Sequence, residues 1–174
     1  MKFKTAGLKL ASLALAGLLL AGTAAQADTT VNRGNGAEPE TLDPQKLTGV
    51  PEANIAYDLY EGLATLDDHG NPTGGVAKNW DVSDDGKVYT FHLRDDAKWS
   101  NGDPITADDV VYSLRRVVDP KVAAEYAYIY SPIVNADEIS GGKEADLTKL
   151  AVAAVDVHTV KISLKAPTPH FVVL

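Results

Sequence analysis

The densest set of reactive side chains lies in KWSNGDPITADDVVYSLRR, where Asp108 and Asp109 stand side by side ahead of Ser113, Arg115 and Arg116. Two carboxylates can divide acid and base work when their surroundings drive their pKa values apart. Sequence neighbours on a helix point about 100° apart, however, and both acids would flank its positive N-terminal end. Cap chemistry accounts for them better. Thr106 is the expected N-cap, its hydroxyl accepting from the amide of Asp109, while Asp109 fills the third position of a capping box and Ile105 packs on Val110 as a hydrophobic staple.

The other candidates for chemistry are thinner. His69, His92, His158 and His170 lie at least twelve residues apart, whereas a zinc site usually brings two ligands within three or four residues. Neither a metal nor another cofactor is expected. The chain has no cysteine and no serine in a G-x-S-x-G setting, so two common nucleophile arrangements are absent. RGNGAE, residues 33–38, lacks the Lys and Ser/Thr of a phosphate loop and reads as a turn. EYAYIYSP places Tyr126, Tyr128 and Tyr130 in a loop after a helix, where rings and hydroxyls can face a ligand or simply pack. The remaining aromatics, from Tyr57, Tyr60, Trp80, Tyr89 and Phe91 to Trp99 and Tyr112, are expected to pack in the core or a hairpin.

These residues must be positioned by short elements. Residues 29–44 begin with a β-prone piece, read as an edge strand, and continue as an ordered loop. In PEANIAYDLYEGLATLD, Ile55, Leu59 and Leu63 lie four apart with Ala56 and Tyr60 beside them, the stripe of an amphipathic helix that stops near Gly62. DDHGNPTGG is a turn-rich connection. Tyr89, Phe91 and Leu93 alternate with Val88, Thr90, His92 and Arg94 after the Asp85-Gly86 turn, which makes a half-buried hairpin. A helix is expected from Ala107 to about Val118, with Val110, Val111, Leu114, Val117 and Val118 as its apolar stripe and Asp119-Pro120 ending it. In a second hairpin Val160, Ile162 and Leu164 alternate with Lys161, Ser163 and Lys165.

The two ends carry their own signals. Lys2, Lys4 and Lys9 precede an apolar run over residues 10–21, and AQA at 25–27 offers the small residues of a cleavage site. The run is shorter than the roughly 20 apolar residues of a membrane span. A secretory signal cleaved after Ala27 is expected, and with no cysteine for disulfides or a lipid anchor, the product is read as a soluble periplasmic protein. Cleavage would remove three of the 16 basic residues and none of the 24 acids, deepening the formal charge from −8 to −11. Such a surface repels phosphate backbones, so no nucleic-acid partner is expected. At the other end, Phe171, Val172, Val173 and Leu174 are expected to be exposed unless further chain covers them, which reads as truncation.

The order of these motifs resembles a known family. PETLDPQ, the run from YDLYEGLATLDDHGNPTGG through KWSNGDPITADDVVYSLRRVVDP, and AVDVHTVKISLKAPTPHF are together similar to the N-terminal part of the oligopeptide-binding proteins, extracellular solute-binding proteins of family 5 that serve bacterial ABC importers. The resemblance implies a mixed α+β / α/β architecture, part of a type II periplasmic-binding-protein-like fold rich in hairpins and amphipathic helices. Residues 1–27 would be the signal, 28–60 the first segment of the main ligand-binding lobe, and 61–174 a smaller inserted lobe, incomplete at its end. By the same resemblance KLTGVPE, residues 46–52, would line the cleft with its backbone through Gly49 and Val50, and Tyr126 would turn its ring to the ligand.

The resemblance implies binding rather than catalysis: a short peptide held in extended form and handed, by a monomer, to an inner-membrane ABC permease complex. A murein peptide, nickel, haem or another solute stays open as the ligand. Further alternatives are a secreted hydrolase whose catalytic residues lie past Leu174 and a non-functional fragment.

Overall fold

The computed structural model of the chain describes residues 30–173. The expected signal and its cleavage after Ala27, like Leu174, lie outside the described residues. The chain divides into two units, Met1–Gly34 and Asn35–Leu174. Of the first, residues 30–34 are exposed and form no strand, so the expected edge strand is absent there. Val31 has the propensity for one, but it is 83% exposed and a strand exists only through a partner's ladder.

The second unit is built on a four-stranded antiparallel sheet. Numbering in chain order, α1 spans Val50–Leu59, β1 Ala64–Leu66, β2 Pro72–Gly74, β3 Ala77–Val82, β4 Val88–Leu93, α2 Ala107–Val118, α3 Ala136–Ser140, β5 Val152–Asp156 and β6 Thr159–Ser163. The sheet runs β3-β4-β6-β5, while β1 and β2 form a separate hairpin around the expected turn. Both larger hairpins follow the sequence alternation. Tyr89, Phe91 and Leu93 are buried along β4, and Phe91 stands opposite Val160 of β6 and Trp80 of β3. Gly86 turns the first hairpin with φ of +68°, a conformation that costs glycine nothing.

Helix α2 lies against β5 and β6 and buries Val111, Val117 and Val118. Its boundaries are those read from the sequence because both ends are written locally. The Thr106 hydroxyl accepts from the Asp109 amide at 3.4 Å, and the Asp109 carboxylate accepts from the Thr106 amide at 2.8 Å. Asp109 therefore closes the helix start, and Asp108 lies beside it in the first turn. Thr106→Ala is expected to lower stability by about 1 kcal/mol, read from the urea midpoint at constant m-value; a change under a few tenths would show that water replaces the cap.

The end of the chain departs from expectation. Phe171 is 8% exposed, packs on Tyr89 with ring centroids 5.1 Å apart, and is followed by Val172 against the same core. Tyr89 Oη donates to the Thr168 carbonyl at 2.9 Å, which draws the segment onto the sheet. Val173 is still about half exposed. Helix α1 also differs, since it ends at Leu59 before reaching Leu63, and Glu52 is its only buried residue. Leu59 and Tyr60 of the predicted stripe are exposed.

Candidate binding segment

The loop over residues 40–49 has almost no regular structure, yet side chains from distant parts of the sequence hold it at several points. Tyr60 Oη donates to the Leu42 carbonyl at 3.1 Å. The Arg116 guanidinium forks onto both carboxylate oxygens of Asp43, at 3.0 and 2.6 Å, and also donates to Gln45 Oε1 at 2.6 Å. Gln45 Nε2 completes the tie by donating to the Ser113 carbonyl at 2.8 Å. Two parallel N–H···O bonds to a carboxylate give direction as well as attraction, which a lysine ammonium would not. A hollow of roughly 280 Å³ opens beside this tie, lined among others by Pro44, Gln45, Trp99 and Tyr112.

The Arg116 hydrogen bonds hold the Asp43 carboxyl below its ordinary pKa, against an opposing push from burial. A depressed carboxylate contributes stability that is complete above its unfolded pKa of about 3.9 and is lost as pH falls through the folded value. The urea midpoint is therefore expected to hold between neutral pH and about pH 5 and to decline below about 4. Asp43→Asn should shrink that acid decline; an identical pH profile would mean that Asp43 is as accessible to protons folded as unfolded.

At the far end of the loop stand the residues singled out for a ligand. Gly49 is the N-cap of α1 and Val50 its first residue, 73% exposed. The Val50 amide, at the first helical position, has no acceptor within the helix. Tyr126, 43% exposed, donates its hydroxyl to the Thr48 carbonyl at 3.3 Å, and its ring lies 6.0 Å from that of Tyr128. Residues 78 apart in sequence are thus brought to one place. Of the tyrosine cluster, Tyr130 turns inward against the core, while Tyr128 is 65% exposed. Trp99, Tyr112, Tyr57 and Tyr60 are also exposed, contrary to the expectation of packing. Their helix and loop positions place them off the sheet faces where Trp80, Tyr89 and Phe91 meet.

Glu52 was missed by sequence reasoning. It is the one buried charged residue among those described, at 4% exposure, and its Oε1 accepts from the Glu40 amide at 2.9 Å. The Glu40 amide first, then those of Glu52 and Gly49, hold its carboxyl below the ordinary value. Glu at the third helical position is half of a capping box, but Gly49 has no hydroxyl to supply the other half, so the pattern gave no signal. Asp43, Gln45 and Arg116 were equally unreadable as a group, being up to 73 residues apart.

Comparison with known proteins adds what geometry does not. Residues 71–174 match the family described as bacterial extracellular solute-binding proteins, family 5 Middle. The periplasmic oligopeptide-binding protein OppA of Escherichia coli is 52% identical over 151 residues, which cover 86% of this chain and 27% of that protein. The crystal structure of Haemophilus influenzae OppA in complex with RPPGFSPFR superimposes with a TM-score of 0.75 at 48% identity, over 80% of this chain and 27% of that one. The Escherichia coli murein tripeptide binding protein MppA gives 0.74 at 46% identity, over 78% of this chain and 26% of that one. The chain thus spans about a quarter of the length of these relatives.

Proposed function

Since the chain belongs to family 5 of the bacterial extracellular solute-binding proteins, we propose that it contributes to a periplasmic carrier that captures short peptides in extended form and delivers them, as a monomer, to an inner-membrane ABC permease complex. Residues 28–60 would supply the first segment of the main lobe and 61–174 the smaller lobe. Gly49, Val50 and Tyr126 would meet the ligand. The observation that carries this reading is the joining of Tyr126 to Thr48 next to the open Val50 amide.

An extended peptide can add to such a segment as a strand does, with main-chain hydrogen bonds giving affinity that does not depend on side-chain identity. Water in roomy side pockets then accommodates varied residues. Domain closure would mark the loaded state for the permease. The relatives are named as binding proteins for oligopeptides and for a murein tripeptide, which supports a peptide ligand and keeps a murein peptide as the second reading.

The test is native and denaturing mass spectrometry of the full-length gene product recovered from periplasm. A product beginning at Asp28, with peptide masses that denaturation removes, is the expected result. Absence of any bound mass, together with hydrolysis of added peptides, would replace the carrier reading by the secreted hydrolase.

A further inference from the structure

Glycine at position 49 is not demanded by its backbone. Its φ of −113° and ψ of 165° suit any residue. What a side chain there would meet is Glu52, because a Cβ on Gly49 would overlap Glu52 Oε2 and force the carboxylate to move. The same carboxylate reaches back through Oε1 to the Glu40 amide, twelve residues earlier, and so closes the base of the loop that leads into Thr48, Gly49 and Val50. The other ties reach Leu42, Asp43, Gln45 and, through the Tyr126 hydroxyl, the Thr48 carbonyl, while the Gly49 carbonyl accepts from the Ala53 amide at 3.1 Å. Of the side chains that make these ties, that of Glu52 lies against Gly49 itself.

We infer that Glu52 is a positioning residue for peptide binding: its buried carboxylate, seated over Gly49 and joined to Glu40, sets the orientation in which the Gly49–Val50 backbone meets the ligand. This rests on the peptide-binding reading of the same segment. A neutral amide in its place would keep an oxygen for the Glu40 N–H and occupy the same volume. An alanine would leave the Glu40 amide unpaired and the space over Gly49 empty, so the segment could sample several orientations. Affinity then falls because the ligand must select one of them. An alanine at position 49 reaches the same end from the opposite side, by displacing the carboxylate.

The experiment uses the full-length gene product, trialanine titrated by calorimetry, amide hydrogen exchange of the unliganded protein, and a urea denaturation of each variant. Glu52→Ala and Gly49→Ala should each weaken trialanine binding at least about tenfold and speed exchange at residues 48–50. Glu52→Gln should stay within about threefold of wild type. The decisive reading is the double variant, in which the second substitution should add little because both remove one interaction. Fully multiplicative losses would overturn the proposal, as would wild-type affinity in a folded Glu52→Ala protein. Should Glu52→Ala fail to fold, Glu52→Gln and Gly49→Ala carry the comparison. If wild type does not bind trialanine at all, the peptide reading fails first, and exchange at 48–50 that stays unchanged in the variants would overturn the positioning role independently.

Discussion

Phe91→Ala is expected to lower the stability of the folded unit by about 3–5 kcal/mol, read from the urea midpoint. Phe91 is 2% exposed at the centre of β4, between Trp80 on β3 and Val160 on β6. Its ring also lies 6.1 Å from that of Trp80 and 6.3 Å from that of Tyr89. Truncation removes transfer free energy and leaves a cavity that hydrogen-bonded strands cannot collapse into, and both costs add. Against a usual domain stability of about 5–15 kcal/mol, the loss takes a large share. Phe91→Leu, which keeps most of the volume, should cost much less, about 1.5 kcal/mol or under. A Phe91→Ala loss below about 1 kcal/mol would mean that the sheet face is wetter or more compliant than the packing shows.

Val50→Pro is expected to weaken peptide binding about ten- to a hundredfold while leaving the urea midpoint nearly unchanged. Proline suits the first helical position, where the amide has no intrahelical acceptor and φ near −65° is already required. Gly49 is extended, as the residue before a proline prefers to be. The substitution therefore deletes a donor without disturbing the helix. The Val50 side chain is 73% exposed, so little packing is lost. If a ligand carbonyl accepts from this amide, its removal leaves that carbonyl buried without a partner, a cost of about 1–3 kcal/mol. Unchanged affinity by calorimetry would place the ligand contact away from the Val50 amide. Together with the Glu52 variants this separates a donor that touches the ligand from a carboxylate that orients the donor.

How much of this was legible beforehand depended on how far apart the cooperating residues lie. Helix α2 was readable to its ends, since Thr106 and Asp109 are three residues apart and the Asp119-Pro120 stop is adjacent. The hairpins β3–β4 and β5–β6 were readable because the alternation of Tyr89, Phe91 and Leu93, and of Val160 and Ile162, repeats every second residue, as one buried face requires. Family resemblance pointed to Gly49, Val50 and Tyr126, and the structure brings Tyr126 to Thr48. The stripe in α1 was also real as a pattern, but pattern does not say whether anything lies against it, and Leu59 is exposed.

By itself the sequence determined the elements whose causes are local: caps, turns, and the period of apolar residues on one strand or helix. Tertiary structure alone decided which of the exposed or polar residues became ties. Arg116 could have paired with any acid in reach, and chain folding chose Asp43, 73 residues away. Glu52 has the sequence environment of a surface glutamate, and only closure of the loop onto Glu40 buried it. Phe171 was expected to be exposed, and only packing on Tyr89, 82 residues away in sequence, buried it. A side chain's own chemistry fixes what it can bond, but long-range packing supplies the partner, and no spacing rule spans the intervening chain.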